Sequence, residues 1–258
     1  MPLTIDACLA QHQGDRKEQQ DRVAILPHPK GGGVVLSVLA DGMGGHTGGV
    51  LAAQQVVYTA RSNLERFLAR SESARTMLEA SLLEAHMLIK ASRFMNEKDP
   101  HSTAVMMLLQ PGKATWAHCG DSRLYRFHDD QLRFRSIDHS YVEHLLRHKK
   151  ITAAQALVHP NRNILVTSLG GGEDPKIDLG EAQDLQAGDS FLLCSDGLWG
   201  YFSDAELGDA VHRFSAREAS ERLISEARRR AKGEGDNISV AILKLAEASA
   251  ETTTRRMG

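Results

Sequence analysis

The run Val38-Leu39-Ala40-Asp41-Gly42-Met43-Gly44-Gly45-His46 decides how this chain is read: an aliphatic segment ends in a carboxylate and then in glycines. Gly33 to Ala40 is rich in β-branched and aliphatic residues without strict alternation, the pattern of a buried strand, and Asp41 then falls at the strand's end. Glycines at 42, 44 and 45 let the backbone turn sharply and approach a ligand closely, and a carboxylate beside an exposed carbonyl suits a hard cation. The same residues also serve an ordinary strand-to-helix turn with Asp41 as a cap, so the nonamer alone leaves both readings open.

Outward from it, Leu3 to Leu9 reads as an edge strand and Arg22 to Leu26 as the next, with Pro27, Pro29 and Gly31-Gly32-Gly33 turning into the central strand. Downstream, Val50, Ala53, Val57, Ala60, Leu64 and Phe67 recur at helical spacing, and Met77, Leu78, Leu82, Ala85 and Ile89 repeat the pattern over 74–96. The capped break Ser71-Glu72-Ser73 makes these two an antiparallel helix pair. From Ser102 the period shortens: Thr103–Leu109 and Ala114–Cys119 read as paired strands, and Arg123–Phe127 with Gln131–Arg135 as a hairpin carrying arginines on one face. Residues 138–172 form an insert too long for a simple connection, as lids and binding loops are. A strand at Ser190–Cys194, helices at Asp204–His212 and Ala216–Ala231, and a last strand at Asn237–Leu243 follow. Residues 246–258 are expected to be a flexible tail.

The chain has 258 residues, 41% hydrophobic and 25% charged, with a net charge of −2. This is an ordinary globular composition, and the charge argues against nucleic acid as a partner. Cys8, Cys119 and Cys194 show no metal-ligand spacing, and their odd number favours free thiols in a reducing compartment. No apolar run reaches membrane-spanning length and the N-terminus lacks a secretory pattern, so a cytoplasmic protein without a membrane partner is expected.

Three further carboxylates repeat the arrangement at Asp41: Asp121 after Gly120, Asp196 before Gly197, and Asp236 after Gly235. Asp21 opens a strand shortly after Arg16. Carboxylates from distant loops converging on one sheet edge would make an all-oxygen site suited to Mg²⁺ or Mn²⁺ rather than Zn²⁺. Each position singly is also what an ordinary turn uses.

In this order the motifs resemble the PPM/PP2C family of metal-dependent protein serine/threonine phosphatases, in particular its bacterial branch: Gly14-Asp15-Arg16 leading to Gln20-Asp21; Asp41 to His46; Ser102-Thr103-Ala104; Gly120-Asp121-Ser122-Arg123; Asp138-His139-Ser140; His159-Pro160 with Arg162-Asn163; Gly188-Asp189 leading to Cys194-Ser195-Asp196-Gly197; and Gly235-Asp236-Asn237. The resemblance spans residues 14–243. It implies an α+β fold of two packed antiparallel β-sheets, each flanked by an antiparallel helix pair (a PP2C-like β-sandwich). The catalytic domain would cover 1–245, with 138–172 as its flap. A site drawing on both Asp21 and Asp236 cannot be divided between two domains.

The resemblance further implies hydrolysis of phosphoserine and phosphothreonine on proteins by a water activated between two Mn²⁺ or Mg²⁺ ions, opposing a cognate serine/threonine kinase. Asp41 would bridge the ions, Asp196 and Asp236 would complete one, the Gly42 carbonyl would serve the other, and Asp21 would act through waters. Asp41, Asp196 and Asp236 are thus the catalytic candidates and Arg16 the phosphate-binding one. Asp121 with Asp196 would hold a third, weaker ion. Two positions depart from the family pattern. Gln20 stands where many relatives have Glu, and Met43 stands where eukaryotic members carry a proton-donating histidine, leaving a water or His46 to protonate the leaving group. The rival reading is a catalytically weak phosphatase-fold binding protein. Against it stands the full set Arg16, Asp21, Asp41, Asp121, Asp196 and Asp236. A free-standing, monomeric domain is the economical expectation. His118 is read as a satisfied core histidine and Cys194 as a packed thiol.

Overall fold

The computed structural model describes residues 3–44, 47–96 and 99–248. His46 and residues 249–258 of the expected tail therefore lie outside the described residues. In chain order the first half contains β1 (Leu3–His12), β2 (Arg22–Pro27), β3 (Val35–Ala40), β4 (Gly42–Met43), α1 (Thr47–Arg66), α2 (Ala74–Asn96), β5 (His101–Ser102), β6 (Ala104–Gln110), β7 (Lys113–Cys119), β8 (Arg123–His128) and β9 (Gln131–Arg135). The second half contains α3 (Tyr141–Arg147), α4 (Ala153–Leu157), β10 (Asp178–Gln183), β11 (Asp189–Cys194), α5 (Asp196–Trp199), α6 (Asp204–Arg213), α7 (Ala216–Ala231) and β12 (Ile238–Glu247).

Two five-stranded antiparallel sheets, β1-β12-β11-β8-β9 and β10-β7-β6-β3-β2, stack face to face. Successive side chains of a strand point to opposite faces. Here both faces are covered, which explains the apolar runs without alternation. Leu36, Val38 and Ala40 of β3, with Ala104, Met106 and Leu108 of β6, pack under α1 and α2. Leu39, Val105 and Met107 instead meet Phe191, Leu193 and Leu243 of the opposite sheet. On the far side, Leu192, Val240 and Ile242 pack against Leu207, Val211 and Leu223 of α6 and α7. The result is the expected α+β sandwich with a helix pair outside each sheet.

The helix starts follow the sequence. Ser73 caps α2, its Oγ accepting from the Thr76 N–H at 3.4 Å, and Ser203 and Ser215 close capping boxes with Glu206 and Glu218. Four details differ from expectation. Strand β10 and the single turn α5 were not foreseen. Strand β12 continues to Glu247, opposite Leu3, two residues into the stretch read as tail. The arginines of β8 do not share a face: Arg123 reaches Asp138, and Arg126 reaches Asp189 on the face that carries Leu124 toward the other sheet. No helix among the described residues is long and apolar enough to cross a membrane. All three cysteines are free thiols. Burial pushes Cys119 up to about 12 and Cys194 further, which keeps both as inert core thiols.

Candidate metal centre

Antiparallel register carries the acidic residues to one edge of the sandwich. Arg22 pairs with Ala40, so Asp21 and Asp41 stand at adjoining strand ends. Ala104 pairs with Cys119 and Arg123 with Cys194, so Asp121 and Asp196 leave their strands on the same side. Asp236 precedes β12, which pairs with β11. Gly42 follows Asp41 into β4, pressed against α1: a Cβ there would lie 2.0 Å from the Gly49 carbonyl oxygen, so only glycine fits.

The chain holds these groups with hydrogen bonds. Asp41 donates its N–H to Thr103 Oγ1 at 3.2 Å, and its carbonyl accepts from the Thr103 N–H (2.9 Å) and Ser102 Oγ (3.0 Å). Ser195 Oγ donates to Asp21 Oδ2 at 2.8 Å. Trp199 donates its indole N–H to the Asp121 carbonyl at 2.9 Å, while Arg123 stacks 3.5 Å over the same indole and binds Asp138 through two 2.7 Å bonds. Asn237 ties the loop that carries Arg16: its Oδ1 accepts from the Gln20 N–H at 2.7 Å, and its Nδ2 donates to the Gln13 and Glu18 carbonyls at 2.8 and 2.9 Å. Asp15 does the same from the other side, exchanging bonds with Gly235. Sequence reading gave no role to Asn237, Ser195, Trp199 or Asp15. Asn237 and Ser195 each adjoin a site aspartate, a weak signal, and nothing in the sequence marks Trp199.

Burial, then the like charges of Asp21, Asp196, Asp121 and Asp236, raises the Asp41 carboxyl far above its ordinary value. Asp196 is raised by burial and then by Asp121, Asp236 and Asp21. Burial, then Asp138, lifts Asp121 to about 7, and burial, opposed by the Ser195 and Ser239 hydroxyls, lifts Asp21 to about 6. The structure therefore brings Asp21, Asp41, Asp121, Asp196 and Asp236 into mutual electrostatic reach. Arg16 joins them at the exposed rim, its Nη2 2.6 Å from Asp236 Oδ2.

A family model described as protein phosphatase 2C matches residues 10–231. The chain belongs to the protein phosphatase 2C family. The serine/threonine phosphatase stp of Listeria innocua is 30% identical over 212 residues, covering 80% of this chain and 83% of that protein. The solved S. agalactiae serine/threonine phosphatase superposes with a TM-score of 0.86 at 27% identity, covering 95% of this chain and 100% of the other. The catalytic domain of the serine/threonine phosphatase PstP, solved in complex with two manganese ions, superposes with a TM-score of 0.80 at 27% identity and covers 95% and 100%. This member of the 2C family is a metal-dependent serine/threonine protein phosphatase, a hydrolase.

The acidic edge fits divalent ions on its own chemistry. Its side-chain donors are all carboxylate oxygens, the choice of Mg²⁺ and Mn²⁺. Among the described residues Asp21 Oδ1 is buried without a hydrogen-bond partner, an orphan that a cation or its hydration shell would satisfy. Arg16 already supplies one positive charge to Asp236. A different trio, His118, His139 and Asp178, has ligand atoms within 4.8 Å of one another. Its hydrogen bonds argue for a structural role instead. His139 Nδ1 accepts from the Gly120 N–H, which leaves Nε2 as the protonated nitrogen that donates to Asp178 at 3.1 Å. His118 gives its Nε2–H to the Ile137 carbonyl. The rings stack at 4.7 Å and 21°, whereas a shared ion would have to lie in both ring planes. His118 is thus a core histidine bonded through Nε2, but its Nδ1 is buried without a partner, so it is not the fully satisfied histidine expected.

Proposed function

We propose that this phosphatase hydrolyses phosphoserine and phosphothreonine on proteins at a binuclear Mn²⁺ or Mg²⁺ centre held by the acidic edge, and that it opposes a serine/threonine kinase. The convergence of five mutually repelling aspartates, with Asp21 fully buried and Asp236 at the half-exposed rim beside Arg16, is the observation that supports it. Asp41, Asp196, Asp236 and the Gly42 carbonyl would hold two ions, Asp21 would act at one remove, and Asp121 with Asp196 would take a third. Bound there, divalent ions supply Lewis acidity and a nucleophilic water at neutral pH.

The chain's own residues do the rest. Arg16 offers a planar fork to two phosphoryl oxygens once Asp236 is neutralised by a cation instead of by the guanidinium. Ser195, Thr103 and Asn237 keep Asp21, Asp41 and the Arg16 loop in place before substrate arrives, so little ordering is left for the encounter. Met43 cannot donate a proton, so the leaving alkoxide would take its proton from water or from His46. The flap over 138–172 presents Leu157, Val158, Ile164 and Val166 as exposed apolar side chains. Beside them lies a cavity of ≈ 420 Å³ in which Arg147, Lys176, His144 and His148 face Glu143 and Asp138, the latter already paired with Arg123. That combination suits an acidic phosphopeptide with apolar flanks.

The test is phosphate release from a phosphothreonine peptide by wild-type and Asp196→Asn protein with EDTA, Mg²⁺ or Mn²⁺. Release that needs metal and disappears in the folded variant is the expected result. Equal release by both proteins, or none from folded wild type with either metal, would reject the assignment.

A further inference from the structure

At the end of the sandwich opposite the acidic edge, a cavity of ≈ 260 Å³ opens among Arg126, His128, Arg133, Gln186 and Asp189. Strands β8 and β11 separate it from Asp121 and Asp196, and at ~3.3 Å per residue that is roughly 20 Å. Asp189 is the hub. Its side chain is 1% exposed; Oδ2 accepts from Arg126 Nη2 and from the Gln186 N–H, and Oδ1 faces His128 Nδ1, each at 3.0 Å. The protein itself thus occupies both oxygens of the one carboxylate in the cavity wall.

The donors are far from used up. Among the described residues, the bond to Asp189 is the sole hydrogen bond of the Arg126 guanidinium, whose Nε is buried without a partner. Among the described residues, neither Arg133 nor the Gln186 side-chain amide has a hydrogen bond or ion pair. Arg133 reaches the cavity through a β-bulge. Pairing passes from Arg126–Phe134 to Phe127–Leu132, so Arg133 has no residue opposite it, and bulges commonly re-aim a side chain in this way. The nearby Asp129 is turned to His212 at 3.7 Å. Two permanent cations and an imidazole therefore confront a single saturated carboxylate.

We propose that this cavity is a second oxyanion site, separate from the metal centre, that takes a phosphoryl group: inorganic phosphate or a phosphorylated side chain. A phosphoryl group carries close to two negative charges and three or more acceptor oxygens, matching guanidinium forks from two strands plus an amide. The volume lies below the ~300–1,000 Å³ of most small-molecule pockets, which suits one small charged group. The inference does not rest on the proposed metal chemistry.

The experiment is calorimetric titration of the Mg²⁺-loaded full chain at constant ionic strength with inorganic phosphate and with a non-hydrolysable phosphonate peptide. Wild type, Arg16→Ala and Arg133→Gln are compared, with melting temperatures confirming that each is folded. A saturable site that survives Arg16→Ala and weakens at least tenfold in Arg133→Gln is expected, with Arg133→Lys intermediate. Equal affinity for both probes assigns the site to free phosphate, and tighter peptide binding assigns it to a phosphorylated segment. Identical titrations for wild type and Arg133→Gln, or no saturable site in the Arg16→Ala protein, would overturn the proposal.

Discussion

Replacing Asp21 by Asn should stabilise the metal-free protein while blunting its response to metal. The Asp21 carboxyl sits at about 6 instead of 3.8, chiefly because it is buried. A group raised in the folded state contributes stability below its unfolded value and loses it as pH rises through the folded one. At ~1.4 kcal/mol per pH unit of that gap, ionising Asp21 costs the metal-free fold about 3 kcal/mol by pH 8. The Asn variant has no such cost. Its carbonyl oxygen can still accept from Ser195 Oγ, and its amide can donate toward Asp41, so no buried donor is stranded. At ~2–4 °C per kcal/mol for a chain of this size, its melting temperature in EDTA at pH 8 should exceed wild type by roughly 6–12 °C. Near pH 4 the two should nearly coincide, and Mn²⁺ at pH 8 should raise wild type more than the variant. Circular-dichroism melts across pH 4–8, with and without metal, read this directly. A metal-free Asn variant no more stable than wild type at pH 8 would refute the reasoning.

Asn237→Ala removes three hydrogen bonds to the loop that carries Arg16 and should cost roughly 3 kcal/mol in urea unfolding, with a matching drop in phosphopeptide turnover. Gly14 has φ +66° and a Cβ there would meet the Asp236 carbonyl oxygen at 2.0 Å, whereas Gly31, at φ +70°, faces open space. Gly31→Ala should therefore cost only the ~1–2 kcal/mol of left-handed backbone, and Gly14→Ala clearly more, with loss of activity. Burial first, opposed by the Asp178 hydrogen bond, holds His139 down at about 4. Because the unfolded chain takes up that proton first, stability should fall by about 3 kcal/mol as pH drops from 6.5 to 4. His139→Asn should flatten this slope in urea titrations at matched pH.

The buried strands and the helix pairs were legible in the sequence because their periods reflect what covers them. β3 and β6 read as core because one set of side chains faces α1 and α2 and the other faces the second sheet. β10 was illegible for the converse reason. Asp178 to Gln183 has little β-propensity of its own and becomes a strand by pairing with β7, where Gly180 lies under the Trp116 indole, a Cβ's distance of 2.4 Å leaving no room for a side chain. At the site, the aspartates were found because carboxylates beside glycine at strand ends form an ordered series. The residues that hold them went unassigned because hydroxyls, an amide and an indole at such positions are common, and only the fold shows what they touch. Arg133 escaped for a similar reason, since a bulge leaves no trace in an alternation of Gln, Leu, Arg, Phe and Arg.

Strand β12 pairs with β1 along its whole length, from Leu3 opposite Glu247 to His12 opposite Ile238, and Asn237 pins the loop before Asp21. The amino-terminal part of the candidate site is thus assembled on residues made more than two hundred positions later. During synthesis the loop that carries Arg16 and Asp21 leaves the ribosome before Asn237, which fastens it, has been made. A chain arrested before Asp236 lacks the strand that closes the sheet, the fastening of the Arg16 loop and one of the acidic groups together. Contacts of such long sequence separation form late and slowly, so phosphatase activity should switch on once β12 has been made rather than grow with length.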